Sequence, residues 1–264
     1  MHYRTQNSRQ RSPAFTLVEL LAVIFIIALL ITLILGAVHR AQRASRIAKT
    51  RADLSAISTA LEQYHSDFKV YPGLPNPPPG TPFDHTILAK ALVGPGPATE
   101  DGADGSGFRT VINPATGTFD PNSKKWDAYL SPEHLNIQRF NPLPGKPVGY
   151  WAFVDYFGNT IRYYPRRRNF ALNLGPLVGN ATKPGIFDIE DGEDPDPSKN
   201  VVLDAITLAF ILGDTNRGNT IDNDESLKTD SNFILVTAGP DNIFNLLTGD
   251  PQLKKSDDIF NFDR

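Results

Sequence analysis

The chain has 264 residues, 40% of them apolar and 21% charged, with a net charge of −3. That balance suits a folded body and excludes an electrostatic grip on nucleic acid, which needs a clustered positive excess. Cysteine is absent, which excludes disulfides, thiolate nucleophiles and cysteine-based zinc sites.

Residues 1–14, MHYRTQNSRQRSPA, carry Arg4, Arg9 and Arg11 and no acid. The apolar run FTLVELLAVIFIIALLITLILGAV follows at once, from Phe15 to Val38. As a helix rising about 1.5 Å per residue it spans about 36 Å, more than the roughly 30 Å hydrocarbon core of a bilayer. It is longer than the about 7–15 residues of a secretory signal core, and it leads into GAVHRAQR rather than a small-residue cut site. These features predict an uncleaved anchor. Arg40, Arg43, Arg46, Lys49 and Arg51 come next, outnumbering the arginines before the run. That bias would hold the C-terminal body in the cytoplasm, so a body outside needs a second mechanism. Glu19 is the one ionisable group in the run. Mid-membrane it would cost about 2.5–3.5 kcal/mol, less near a helix end, and pairing would stabilise it.

The motif SPAFTLVE, Ser12 to Glu19, resembles the prepilin signal of type IV pilins and type II secretion pseudopilins. That signal joins a short basic leader, a small residue, a cut, and Phe-Thr-Leu-x-Glu opening a long apolar helix. The resemblance implies cleavage between Ala14 and Phe15 by a prepilin peptidase on the cytoplasmic face, with methylation of the new Phe15 amine. Ala14 stands where the family usually has glycine. The resemblance also implies a partner for Glu19, the Phe15 amine of a neighbouring subunit in a filament. Within one helix the same amine would lie at i,i+4 from Glu19. The plainer reading leaves Glu19 as an interfacial acid favoured by the helix dipole.

Beyond Val38, apolar residues fall at Ile47, Leu54, Ile57, Leu61, Tyr64 and Phe68, a helical stripe. No proline occurs between Ala14 and Val70, so one helix from about Thr16 to Asp67 is predicted, with Gly36 its weak point and Pro72 its stop. Leu61, Tyr64, Asp67, Tyr71 and Pro72 resemble a pseudopilin pattern, although core packing alone accounts for Tyr64 and Phe68.

The remainder, with most of the 22 prolines and 20 glycines, is loop-rich. HTILAKALVG, residues 85–94, predicts a short helix, and EDGADGSGF, residues 100–108, a flexible acidic loop without dinucleotide-binding context. Alternating residues on either side of DYFGN, residues 155–159, predict a hairpin. This hairpin resembles a segment of major pseudopilins at Asp155, Gly158 and Tyr164, with Phe157 where the family has tryptophan. VVLDAITLAFILG, residues 201–213, leans towards helix, and SNFILVTAG, residues 231–239, predicts a strand.

The C-terminal stretch resembles the pseudopilin end that carries calcium, and Thr237, Asp241, Asp257 and Asp258 match the ligand positions. Calcium takes six to eight oxygens, so these side chains with main-chain carbonyls could hold it. A weaker candidate is an EF-hand-like pattern at Asp214, Asn216, Asp222 and Glu225, in which Gly218 and Asn219 replace the usual acid and turn glycine. The five histidines show no paired ligand spacing, Ser66 and Lys69 form a lone S-x-x-K, and no nucleophile–base set stands out, so no enzyme is expected.

The expected fold is α+β and type IV pilin-like: a long N-terminal helix packed on a small antiparallel sheet, with a loop-rich C-terminal region. The expected organisation is a cleaved leader at 1–14, a membrane and filament-core helix at 15–38, an amphipathic stalk at 39–70 and a periplasmic body at 71–264. The resemblance implies a single-pass inner-membrane subunit of a type II secretion pseudopilus. Its partners would be other copies of itself, prepilin peptidase, the assembly platform, minor pseudopilins and lipid, with calcium as cofactor. The rivals are a major or minor type IV pilin, and a signal-anchored periplasmic binding protein or enzyme.

Overall fold

A computed structural model of the chain describes residues 16–73, 86–97, 102–133, 135–140, 150–166, 177–179, 186–188, 208–209, 212, 214, 218–220, 229, 231–242, 244 and 258–262. The chain divides into two compact units, Met1–Ser45 and Arg46–Arg264. The fold is α+β, with a long N-terminal helix and small antiparallel sheets.

Helix α1 runs from Leu17 to Phe68. It ends where the backbone of Lys69 turns left-handed (φ 61°) while the Lys69 N–H still donates to the His65 carbonyl at 2.8 Å. The Lys69 Nζ caps the Ser66 carbonyl at 2.7 Å, satisfying one of the acceptors a helix end leaves open. Pro72 then prevents a restart.

In the second unit, Leu54, Ile57, Ala60 and Leu61 of α1 are buried, as their helical spacing requires. Tyr64 and Phe68, both half-buried, meet in a tilted ring contact at 4.5 Å and both contact Phe108, and Tyr64 packs against the core. The short helix α2, Thr86–Leu92, adds Leu88, Ala89 and Leu92 to the same core. It is closed by Gly94, whose N–H reaches back to the Ala89 carbonyl at 2.9 Å. Gly94 has φ +56°, and a Cβ there would meet the Gly107 carbonyl oxygen at 2.3 Å, so only glycine fits. The loop Gly102–Phe108 is anchored at its C-terminal end, where the Gly107 N–H donates to the Val93 carbonyl and Phe108 is buried, while Asp104–Ser106 stay exposed.

Strands β1 (Ile137–Phe140) and β2 (Tyr150–Phe153) form one antiparallel pair. Strands β3 (Arg162–Pro165), β6 (Phe233–Thr237) and β7 (Ile259–Phe260) form a second sheet in the order β3-β6-β7. Between them in sequence, β4 (Val178–Gly179) and β5 (Phe187–Asp188) make a short parallel ladder.

The expected hairpin is half right. Its turn forms, with Val154 bridging Thr160 and the Asp155 N–H bonding the Asn159 carbonyl at 2.8 Å. Its arms then part, β2 to β1 and β3 to β6. The cause is β6, which is buried along its whole length. Its side chains alternate between two cores: Phe233 and Leu235 join α1 and α2, while Ile234 and Val236 join Leu177, Phe187, Leu208 and Leu212. Tyr163 and Tyr164 of β3 split between the same two cores. A strand buried on both faces needs neighbours that are buried likewise, and β3 supplies one. In the 201–213 stretch, Leu208, Ala209 and Leu212 are helical and its other residues lie outside those described.

Two polar residues of α1 are buried, Thr50 and Asp53, and Asp53 is the ionisable one. Asp53 is 8% exposed, and its Oδ2 has no hydrogen-bond partner. Burial raises its pKa from 3.8 to about 6. The folded chain thus holds a proton that the unfolded chain releases. The contribution is fully present below about pH 4 and is lost as pH rises towards 6. Asp53→Asn is therefore expected to raise the unfolding temperature above pH 6, with the gain shrinking as the pH falls towards 4. Thermal unfolding across that range checks it, and a gain that does not change with pH would contradict the burial argument.

Candidate functional site

The first turn of α1 carries a capping box. The Thr16 backbone N–H donates to Glu19 Oε2 at 2.9 Å, and the Thr16 hydroxyl donates to the same oxygen at 2.8 Å. In return, the Glu19 N–H donates to Thr16 Oγ1 at 3.2 Å. Both residues thus satisfy donors that a helix start leaves open. The T-x-x-E spacing before an apolar run is the sequence signature of this device, and reading Glu19 only as a charge overlooks it. Ala14 and Phe15 lie outside the described residues. The structure therefore brings Glu19 to Thr16 and leaves its pairing with the Phe15 amine as an expectation.

From Leu17 to Val38 the helix exposes its apolar side chains on every face, with Leu17 76% and Phe25 65% exposed. No part of its most apolar window is buried by the chain itself. The one hydroxyl within it, Thr32, turns back onto the Leu29 carbonyl at 2.8 Å. Beyond the first turn, this surface therefore offers an apolar environment almost nothing polar to desolvate.

The calcium expectations fall on two places. Thr237 is fully buried, and its hydroxyl donates to Asp155 Oδ2 at 2.6 Å. Asp155 is itself buried and accepts from the N–H groups of Phe157 and Asn159, both at 2.8 Å. The Asn159 side chain donates to Asp155 Oδ2 at 3.2 Å and to the Gly239 carbonyl at 2.8 Å. Asp155 thus ties the β2–β3 turn to the turn that follows β6. That turn includes Asp241, which is exposed, while Asp258 stands just before β7 and Asp257 lies outside the described residues. Of the described members of this set, Thr237 belongs to a hydrogen-bonded strut with Asp155. No three acidic, histidine or cysteine side chains converge on a metal position among the described residues.

At the second place, Asp214 is fully buried and binds the N–H groups of Gly218 and Asn219 through its two carboxylate oxygens. Asn219 is left-handed (φ 56°), the conformation an EF-hand pattern requires of its turn glycine, and asparagine tolerates it. The Asn219 side chain also clamps β4, accepting from the Val178 N–H and donating to the Val178 carbonyl. Asn216, Asp222 and Glu225 lie outside the described residues. The turn has the form the pattern demands, and its only described carboxylate already serves the backbone.

Residues 9–35 match the family model described as the prokaryotic N-terminal methylation motif. No curated protein matches the chain, and no solved structure does. The matched stretch contains Ala14, Phe15, the Thr16–Glu19 cap and most of the exposed apolar helix. It is a prepilin-type signal of the kind carried by type IV pilins and pseudopilins, a broad class processed by prepilin peptidase and built for structural roles.

The Asp155 strut is tested by substitution. Thr237→Val removes one charge-assisted hydrogen bond and should cost about 1.5–3 kcal/mol, measured by urea unfolding. Asp155→Ala should cost more, because it strands several buried donors at once. The double variant should be little worse than Asp155→Ala alone, and full additivity would show that the two residues do not act together.

Proposed function

We propose that the chain is a structural subunit of a type II secretion pseudopilus, anchored in the bacterial inner membrane with its body in the periplasm. In this reading prepilin peptidase cuts before Phe15 and methylates its amine, and α1 helices of successive copies bundle into the filament core. The observation that carries the reading is the exposed apolar helix Leu17–Val38, most of it within a methylation motif, with Glu19 held in its first turn. A helix apolar on all faces and uncovered by its own chain needs lipid before assembly and like helices after it. In such a core an ionised Glu19 needs a countercharge, and the Phe15 amine of a neighbour supplies one. Energy for assembly would come from an ATPase in another protein.

Mass spectrometry of the protein from its native membrane tests the processing step. The mature chain is expected to begin at Phe15 and to carry one added methyl. An intact N-terminus would favour a signal-anchored binding protein or enzyme. Glu19→Ala should leave cleavage and membrane insertion unchanged and reduce filament formation, scored by shearing and electron microscopy. Normal filaments from Glu19→Ala subunits would refute the pairing. Deleting the gene should block export of secreted proteins, whereas loss of surface fibres or twitching with intact export would favour a type IV pilus.

Calcium belongs to the same proposal as a clip for a cysteine-free, loop-rich body. Its support is the supply of carboxylates near Asp214 and near Asp241–Asp258, and the left-handed turn at Asn219. Calcium is expected to raise the unfolding temperature of the full chain in detergent relative to a chelator. Loss of that shift in Asp214→Asn would put the ion in the 214–225 loop, and loss in Asp257→Asn would put it at the C-terminal end. No shift in the unaltered chain would remove calcium from the account.

A further inference from the structure

The β2–β3 turn rests on α1 at Lys49 and Thr50, one helical turn before Asp53. The Tyr156 N–H donates to the buried Thr50 Oγ1 at 3.5 Å, and the Lys49 ammonium lies over the Tyr156 ring, 5.4 Å from its centre. Asp53 is buried, and its Oδ2 has no hydrogen-bond partner. That arrangement suits a neutral carboxyl, because an ionised one taken out of water needs a countercharge. Lys49 is the cation placed to supply it. It precedes Asp53 by four residues, so the two share a helix face with Cβ atoms about 5–6 Å apart. Arg46 stands seven residues back, about 10 Å along the axis, and Arg51 at i−2 lies on another face. The turn, DYFGN, brings no cation. It brings the Asp155 carboxylate, already bound to Thr237, and the Tyr156 phenol, whose pKa is raised by its own burial and by the Asp53 charge.

We propose that Lys49 is a pH-dependent latch between α1 and the β2–β3 turn, covering the Tyr156 ring while Asp53 is neutral and moving to the Asp53 carboxylate when Asp53 ionises. One ammonium cannot serve both partners. A cation over a ring at the surface is held weakly, and a carboxylate that has lost its water attracts the same charge more strongly. Lys49 is exposed, so its side chain changes rotamer without disturbing the core. Burial raises the Asp53 pKa to about 6, which sets the pH at which the exchange occurs. Below it, Lys49 joins the turn to α1. Above it, Lys49 leaves Tyr156, and the turn keeps its tie to β6 through Asp155 and Thr237. Acid therefore tightens the grip of α1 on the turn that fixes β6. The device lies wholly in the body and is independent of filament or anchor.

The test is NMR of the full chain in detergent micelles, labelled with carbon-13 at lysine Cε and at the aspartate carboxyl. The Lys49 and Asp53 signals are assigned by their loss in K49M and D53N. The Tyr156 ring current should displace the Lys49 Cε protons upfield in acid, and the displacement should fade as Asp53 titrates. In D53N it should persist to pH 8, and in Y156L it should be missing at every pH. K49M should raise the Asp53 midpoint by at least about 0.2 pH units, since the ionised form loses its countercharge. The latch is overturned if the Lys49 signal does not move with Asp53, if it moves equally in D53N, or if K49M leaves the midpoint unchanged. It is also overturned if Asp53 titrates near its ordinary value of 3.8, an outcome that would remove the burial argument as well. Titration near 6 with Lys49 stationary would refute the latch alone.

Discussion

The helix from Leu17 to Val38 is apolar on all faces and its own chain covers none of its most apolar stretch. Everything distinctive about the N-terminus follows from that constraint. Water is a poor solvent for such a surface, at about 25 cal/mol for each Å² of apolar area. Lipid and a bundle of like helices are both good ones. Both also exclude water, so every polar group on the helix must be answered within reach. Thr32 is answered by the Leu29 carbonyl, and Glu19 by Thr16.

The body solves a different problem, which is to build a core from short strands and many loops. Its solution centres on β6, buried on both faces and sorting alternate side chains into two cores. One core takes the last turns of α1, so the helix end is built into the body through Leu54, Ile57 and Leu61. The other holds the loops together from the far side. Because β6 is central, its end must be fixed, and Asp155 does so from the β2–β3 turn through Thr237. Side-chain hydrogen bonds here take the place that disulfides occupy in many loop-rich secreted proteins.

Much of this was legible in residues whose neighbours are close in sequence. The helix, its stop near Pro72, α2 and the strand at 233–237 all follow from local periodicity and local stop signals. The turn at 155–159 was equally local. What failed was the partner of each arm, because β3 chose a strand some seventy residues away. Periodicity reports which faces are buried, not what buries them. Strand β1, in NIQRF, is half-buried at its two ends and exposed between them, which gives no alternation. Asp155 was visible as a turn residue, yet its bond to Thr237 depends on the same distant pairing. Thr237 is read as a calcium ligand on the same feature that makes it a strut: an oxygen beside a carboxylate serves either purpose.

The cap at Thr16 also sharpens what Glu19 can do. Both bonds from Thr16 land on one oxygen, Oε2. A carboxylate has about four lone-pair directions, so the cap does not commit Oε1. In the proposed filament the cap and an intersubunit pair are therefore compatible. Thr16 fixes the rotamer and supplies hydrogen bonds to the charged form, while the second oxygen stays available to a neighbour's amine. An acid without that cap would have to pay the ordering of its side chain at the moment of pairing. The short polar start of an otherwise apolar helix thus reads as one unit, with Thr16 holding the carboxylate in place and Glu19 presenting it.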